Sequence, residues 1–202
     1  MEVLFSKEEI DFKTKIIAKN ITDNHRGDGT PIVFVCLLTG GFMFFSDLAQ
    51  EIRHDIEVDF MRVKSYIGKK KQGDIQVTKD LETAIKGKHV YIVDDIYDSG
   101  RTMQAVMKYL RVKEPRSLNI VTLLKREVNA VAAHEFADSF IHGFEIEGEW
   151  VVGYGMDNEK VIAEITQEYL LSKEIFRILI EVLKHHLKKT NEWLKSLSTV
   201  LN

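Results

Sequence analysis

Val90-Tyr91-Ile92-Val93-Asp94-Asp95-Ile96-Tyr97-Asp98-Ser99-Gly100-Arg101-Thr102 reads as a buried strand that ends in two adjacent carboxylates and runs through a short loop into a helix. The opening run shows no polar alternation, which fits a strand covered on both faces. Ligands of open parallel sheets bind beyond the carboxyl ends of the strands, so Asp94 and Asp95 stand where a substrate must sit. A loop that opens a helix, as 98–102 does, presents free backbone N–H groups and the positive end of the helix dipole, and both bind phosphate. Gly100 lets the backbone approach closely and Thr102 adds a hydroxyl donor. No Gly-Lys-Ser/Thr occurs in the chain, which excludes a P-loop nucleotide site. Two carboxylates beside a phosphate cradle describe a sugar phosphate with vicinal hydroxyls, held by the acids directly or through Mg²⁺ and its waters.

Outward from this segment, further apolar runs rich in β-branched residues lie at 32–38 and 118–124, with amphipathic segments at 42–52 and 103–112 between the runs. Strands alternating with helices predict an α/β fold, a parallel sheet with helices on both faces. Residues 57–63 read as another strand. Ser6-Lys7-Glu8-Glu9 fits a capping box, and Ile10, Phe12, Ile16 and Ile17 predict an opening helix to about Asn20. The Lys- and Gly-rich stretch 68–74 offers little to bury and reads as a loop. From about Asp157 the pattern turns helical, with Ile175, Ile178, Leu179, Val182, Leu183 and Leu187 along one stripe.

The 202 residues suffice for one good core, and 28 basic against 31 acidic residues give a formal charge of −3. The chain as a whole therefore has no electrostatic pull toward nucleic acid or anionic lipid, and Lys69-Lys70-Lys71 reads as a solvated run. An early charged N-terminus and the absence of an apolar run near the ~20 residues that span a bilayer predict a cytoplasmic protein with no membrane partner. A single cysteine, Cys36, excludes an intrachain disulfide or a Cys-based zinc site and reads as a core residue. His185-His186 point about 100° apart on a helix and cannot easily share one ion.

The 90–102 segment resembles the phosphoribosyl-pyrophosphate signature of the type I phosphoribosyltransferases. The surroundings resemble the hypoxanthine-guanine branch: Leu37-Leu38-Thr39-Gly40-Gly41 before a helix, Val58-Asp59-Phe60, Lys64-Ser65-Tyr66, Gly73-Asp74-Ile75, Gly143-Phe144-Glu145-Ile146, and Trp150-Val151-Val152-Gly153-Tyr154-Gly155-Met156-Asp157. These matches span most of residues 1–160. The resemblance implies a type I phosphoribosyltransferase domain over 1–163, with a small hood built from the N-terminal helix and part of the region after Val128. A helical C-terminal extension, 164–202, has no counterpart in the family, and its apolar stripe predicts packing on the domain or on a second subunit. A homo-oligomer, dimer or tetramer, is expected.

The implied activity is transfer of the phosphoribosyl group of phosphoribosyl pyrophosphate to hypoxanthine or guanine, a purine salvage step that yields IMP or GMP and pyrophosphate. A xanthine-preferring relative and a non-catalytic regulator on the same fold are the alternatives. By the same resemblance, Asp94 and Asp95 hold the ribose hydroxyls and the Mg²⁺ shell, and Asp98 takes the proton from N7 of the base. Ser99, Gly100, Arg101 and Thr102 bind the 5′-phosphate, Thr39 and Gly40 belong to the pyrophosphate loop, and Asp157 reaches a second Mg²⁺. Lys125 faces the base O6, Trp150 stacks on the purine, the Val151 backbone reads the ring edge, and a lid beginning at Ser65 and Tyr66 closes over the site. Each role has a physical sense: an ammonium stabilises density arriving on O6, and an aromatic face holds a purine. The chain departs from the family pattern in carrying Asp94 where Glu is usual, neutral Thr39 where a basic residue is common, and Lys160 but no arginine after Asp157. Lysine supplies a point charge in place of a bidentate fork.

Overall fold

The computed structural model describes residues 4–65, 75–126, 131–147, 151 and 153–156. The element order is α1 (Lys7–Asn24), β1 (Ile32–Leu38), α2 (Phe42–Glu51), β2 (Ile56–Ser65), β3 (Ile75–Lys79), β4 (His89–Tyr97), α3 (Arg101–Arg111), β5 (Ser117–Arg126), a 3₁₀ turn (Ala133–Glu135) and β6 (Ser139–Ile146). The capping box forms as read: Glu9 N–H donates to the Ser6 hydroxyl at 3.3 Å and Ser6 N–H donates to the Glu9 carboxylate at 2.7 Å. The helix runs past Asn20 to Asn24, because Ile21 is fully buried and carries the apolar face one turn further.

The six strands lie in the order β3-β2-β1-β4-β5-β6. Pairings β2·β1, β1·β4, β4·β5 and β5·β6 are parallel, and β3 pairs antiparallel with β2, so the expected parallel sheet is a mixed one with a single antiparallel edge. The chain leaves β1 toward one edge and returns through β4 to the other side. The β1/β4 boundary is thus the switch point where the crevice of an open α/β sheet forms.

Alternate residues of the central strands feed two cores, one on each face. Phe34, Cys36, Tyr91, Val93, Val121 and Leu123 pack with Ile17 and Ile21 of α1 and Phe44 and Leu48 of α2. Val33, Val35, Val90, Ile92, Leu118 and Ile120 pack with Met103, Val106, Met107 and Leu110 of α3. Burial on both faces accounts for the unbroken apolar run of β1 and for the largely apolar run of β5, whose Asn119 and Thr122 are buried with it. Cys36 is buried, and burial pushes its thiol pKa up, as expected of a core residue. The two pieces expected in the hood meet: Phe5, just before α1, stacks on Phe144 of β6 with ring centroids 4.0 Å apart, and Lys13 of α1 lies over the same ring.

Candidate active site

The site begins where β1 ends. The Leu38–Thr39 peptide is cis, and Thr39 is exposed. Gly40 and Gly41 then pass so close to β4 that side chains cannot follow. A Cβ on Gly40 would fall 2.1 Å from the Asp95 carboxylate, and one on Gly41 would fall 2.9 Å from the Asp94 Cα. Backbone crowding thus requires glycine at 41, while a side chain at 40 would have to displace the Asp95 carboxylate.

β4 continues beyond the predicted 90–93 core to Tyr97, carrying Asp94 and Asp95 half-buried on its final turns of pleat. Asp94 Oδ1 accepts the Asp95 N–H at 3.0 Å, and Asp95 Oδ1 accepts the Ile96 N–H at 2.7 Å. Among the described residues neither carboxylate is paired with a lysine or arginine. Burial, then the charge of its neighbour, pushes the Asp94 pKa well up; burial also raises that of Asp95, against opposing hydrogen bonds. Two uncompensated acids side by side in a cleft form a site that gains from a cation.

Asp98 and Ser99 are exposed on the loop, and Gly100 turns the chain into α3 with φ +71. A Cβ there would meet the Tyr97 hydroxyl at 2.3 Å, so space and backbone angle both demand glycine. The loop is braced from one neighbour: the Tyr97 hydroxyl donates to the Val131 carbonyl at 2.5 Å, and Val131 N–H donates to the Ser99 carbonyl at 3.0 Å. Gly100 caps α3 without any side-chain hydrogen bond, which leaves the N–H groups of Arg101, Thr102 and Met103 directed out of the first turn.

The C-terminal end of β5 brings two cations beside this loop, since Tyr97 registers with Lys125 and Lys125 with Glu145. Lys125 bonds Glu145 at 2.7 Å, and His142 sits 3.1 Å from the same carboxylate oxygen. The Lys125 hydrogen bond holds the Glu145 pKa down; burial, followed by the Lys125 charge, lowers that of His142. Arg126 spans the cleft differently: its Nε donates to Asp98 Oδ1 at 2.8 Å and its Nη1 to the Glu147 carbonyl at 3.1 Å. A cleft of about 620 Å³ opens beside Lys125 and Arg126, between Tyr97 and residues 131–140. Past β6, the Tyr154 hydroxyl donates to Asp47 of α2 at 2.5 Å, and a Cβ on Gly155 would meet the Gly40 carbonyl at 3.1 Å. Residues 153–156 thus lie against the Thr39–Gly41 loop, and Val151 packs on the core beneath.

Of the residues singled out in the sequence, Thr39, Gly40, Asp94, Asp95, Asp98 and Ser99 to Thr102 gather at the β1/β4 crevice, with Lys125 on the adjacent strand β5. Trp150, Asp157 and Tyr66 lie outside the described residues, as does the side chain of Ser65, whose backbone ends β2. Arg126, Glu145 and His142 were not assigned a role by the sequence. The signal was faint: Arg126 merely follows Lys125, and Glu145 was part of a quoted motif without a partner.

A phosphoribosyl transferase domain pattern matches residues 6–159. The chain belongs to the phosphoribosyltransferase family. It is 42% identical over 162 residues to the hypoxanthine phosphoribosyltransferase of Escherichia coli K12, covering 78% of this chain and 87% of that one. With the hypoxanthine-guanine phosphoribosyltransferase of Aquifex aeolicus the identity is 39% over 159 residues, covering 78% and 86%. The solved structure of Trypanosoma cruzi hypoxanthine phosphoribosyltransferase in complex with its product IMP superposes with a TM-score of 0.71 at 30% identity, covering 82% of this chain and 94% of that one. The extent of these matches makes this phosphoribosyltransferase an enzyme of the pentosyl-transfer class, and it leaves most of 164–202 without a matched partner.

Proposed function

We propose that this phosphoribosyltransferase joins hypoxanthine or guanine to phosphoribosyl pyrophosphate, giving IMP or GMP and pyrophosphate. The observation that carries the reading is the crevice at the sheet's switch point, where Gly40 lies against the Asp94–Asp95 pair opposite the uncapped N-terminus of α3. Such a crevice offers one place for a 5′-phosphate, one for ribose hydroxyls and one for pyrophosphate, in the order the molecule presents them.

In the proposed reaction the C1′–O bond to pyrophosphate breaks as the bond from N9 of the base to C1′ forms. Asp98 accepts the N7 proton. Its Oδ1 is held by Arg126, which leaves Oδ2 to receive that proton and fixes the carboxylate's rotation. Lys125, steadied by Glu145, stabilises charge on O6; Trp150 stacks on the purine and the Val151 backbone reads its edge. The N–H groups of Ser99 to Thr102 hold the 5′-phosphate. The Asp94–Asp95 pair, half-buried and without a cationic partner among the described residues, suits a hard divalent ion bound through oxygen, and Asp157 would complete a second position. Mg²⁺ bound there would neutralise the departing pyrophosphate. A lid beginning at Ser65 and Tyr66 would exclude water from the short-lived sugar cation. We assign the catalytic domain to 1–163 and a helical extension to 164–202, and place the enzyme in the cytoplasm as a homo-oligomer, a dimer or tetramer. No helix among the described residues is long and apolar enough to cross a membrane.

The test is a spectrophotometric assay of the purified chain with phosphoribosyl pyrophosphate and Mg²⁺, offering hypoxanthine, guanine, xanthine and adenine separately. Conversion of hypoxanthine or guanine is the expected result. Preference for xanthine would reassign the base, and nucleotide binding without conversion of any base would make the chain a regulator.

A further inference from the structure

At the end of the sheet opposite the crevice, three side chains from different parts of the chain converge. His25 caps the C-terminus of α1, Asp28 follows in the connection to β1, and His89 opens β4. Each places a ligand-type atom within 4.8 Å of the other two. Both histidines are buried, His25 at 6% and His89 at 9% exposure, whereas the Asp28 side chain is 32% exposed and gives access from solvent.

The orientation of the rings is set by outer partners. His89 Nδ1 meets the Ser117 hydroxyl at 2.7 Å, and its Nε2 faces Asp28 Oδ2 at 3.0 Å. His25 Nε2 meets the Tyr91 hydroxyl at 2.7 Å, while its Nδ1 is buried with no hydrogen-bond partner. A buried imidazole nitrogen left without a partner is destabilising until something bonds it. Asp28 is fixed as well, through the Thr30 N–H at 2.9 Å. Two imidazole nitrogens and a carboxylate oxygen, each oriented by an outer hydrogen bond, are the donor set and second shell of a zinc-type site.

We propose that His25, Asp28 and His89 bind one divalent transition-metal ion of the Zn²⁺ class, with His25 coordinating through the nitrogen that has no partner and water as the fourth ligand. Tetrahedral bonds of about 2.0–2.1 Å bring ligand atoms about 3.3 Å apart, so the observed separations close by small ring and side-chain movements. Mg²⁺ is unsuited to a site with two nitrogen donors, which separates this position chemically from the Asp94–Asp95 pair. The two also lie far apart, since six residues of strand from His89 to Asp95 span about 20 Å. The role is structural: the ion ties the α1–β1 connection to the first residue of β4, at the foot of the strand that carries the acidic pair.

The experiment is a Co²⁺ titration of the full, chelator-stripped chain, followed by visible absorption and then by displacement with Zn²⁺. The expected result is one ion per chain, with the intense bands of four-coordinate cobalt and a melting temperature raised by Zn²⁺. Asp28→Asn and His89→Gln should each weaken binding by about 100-fold or more while retaining Mg²⁺-dependent turnover, which shows that they fold. A His185→Gln/His186→Gln variant should bind as the parent does. Absence of saturable cobalt binding in the parent chain, or unchanged bands in both Asp28→Asn and His89→Gln, would overturn the proposal.

Discussion

At the scale of single residues, the exposed carboxylate of Asp98 carries the largest predicted effect. Asp98→Asn removes the proton acceptor but keeps the shape, so kcat should fall by about 100-fold or more while nucleotide affinity changes by no more than a few-fold. Steady-state kinetics alongside IMP titration checks both halves, and turnover equal to the parent's would remove Asp98 from the role of base. Arg126 was not legible as a partner because nothing in Lys125-Arg126 says which residue faces Asp98; the register of β5 against β4 decides it. Its guanidinium holds Asp98 with one arm and the Glu147 carbonyl with the other. Arg126→Ala should therefore lower kcat by about 10-fold, and Arg126→Lys should restore little, because a lysine cannot make both bonds in one plane. If Arg126 acts by positioning Asp98, the Asp98→Asn/Arg126→Ala double variant should be no slower than Asp98→Asn alone; additive losses would give Arg126 a separate role.

At the scale of elements, the sequence was most readable where one physical signal dominated. The Ser6/Glu9 capping box announced the start of α1, and Ser6→Ala should cost about 1 kcal/mol, read as a lower urea midpoint with an unchanged denaturation slope. The doubly covered runs announced β1, β4 and β5. By contrast β6, Ser139-Phe140-Ile141-His142-Gly143-Phe144-Glu145-Ile146, is half-buried along most of its length and mixes Ser, His, Gly and Glu with its aromatics, so its strand character comes from pairing with β5. The short edge strand β3 is antiparallel for the same reason: five residues offer no periodicity that could reveal a direction, and its pairing with β2 supplies one. The candidate site divides along the same line. Asp94, Asp95, Gly100 and Gly40 were legible because tight geometry restricts the residues allowed, whereas Arg126 and Glu145 act through partners 28 and 20 residues away in sequence, and His142 joins them only through Glu145.

At the scale of the whole molecule, the crevice sets catalysis against stability. Asp94 and Asp95 bind protons more tightly in the folded chain than in the unfolded one, from burial first and mutual repulsion for Asp94 next. Groups with raised values contribute stability that is complete below the ordinary value of 3.8 and is lost as pH climbs through the raised ones. Asp28, held down by the Thr30 hydrogen bonds, and Glu145, held down by Lys125, act in the opposite sense and are lost on acidification. Near neutral pH the buried acidic pair therefore costs the metal-free fold stability. Asp94→Asn removes one of the two buried acids, so the variant should melt about 2–4 °C above the parent near pH 7 for each kcal/mol relieved. The gap should shrink as pH falls through and below 3.8, where both acids of the parent become protonated in the unfolded chain as well as in the folded one. Mg²⁺ with phosphoribosyl pyrophosphate should reverse the order, because it compensates the parent's pair and has only one carboxylate to hold in the variant. Differential scanning calorimetry across pH, with and without that mixture, checks each step. A parent chain more stable than Asp94→Asn at neutral pH without ligand would mean that the pair is already neutralised by the chain itself.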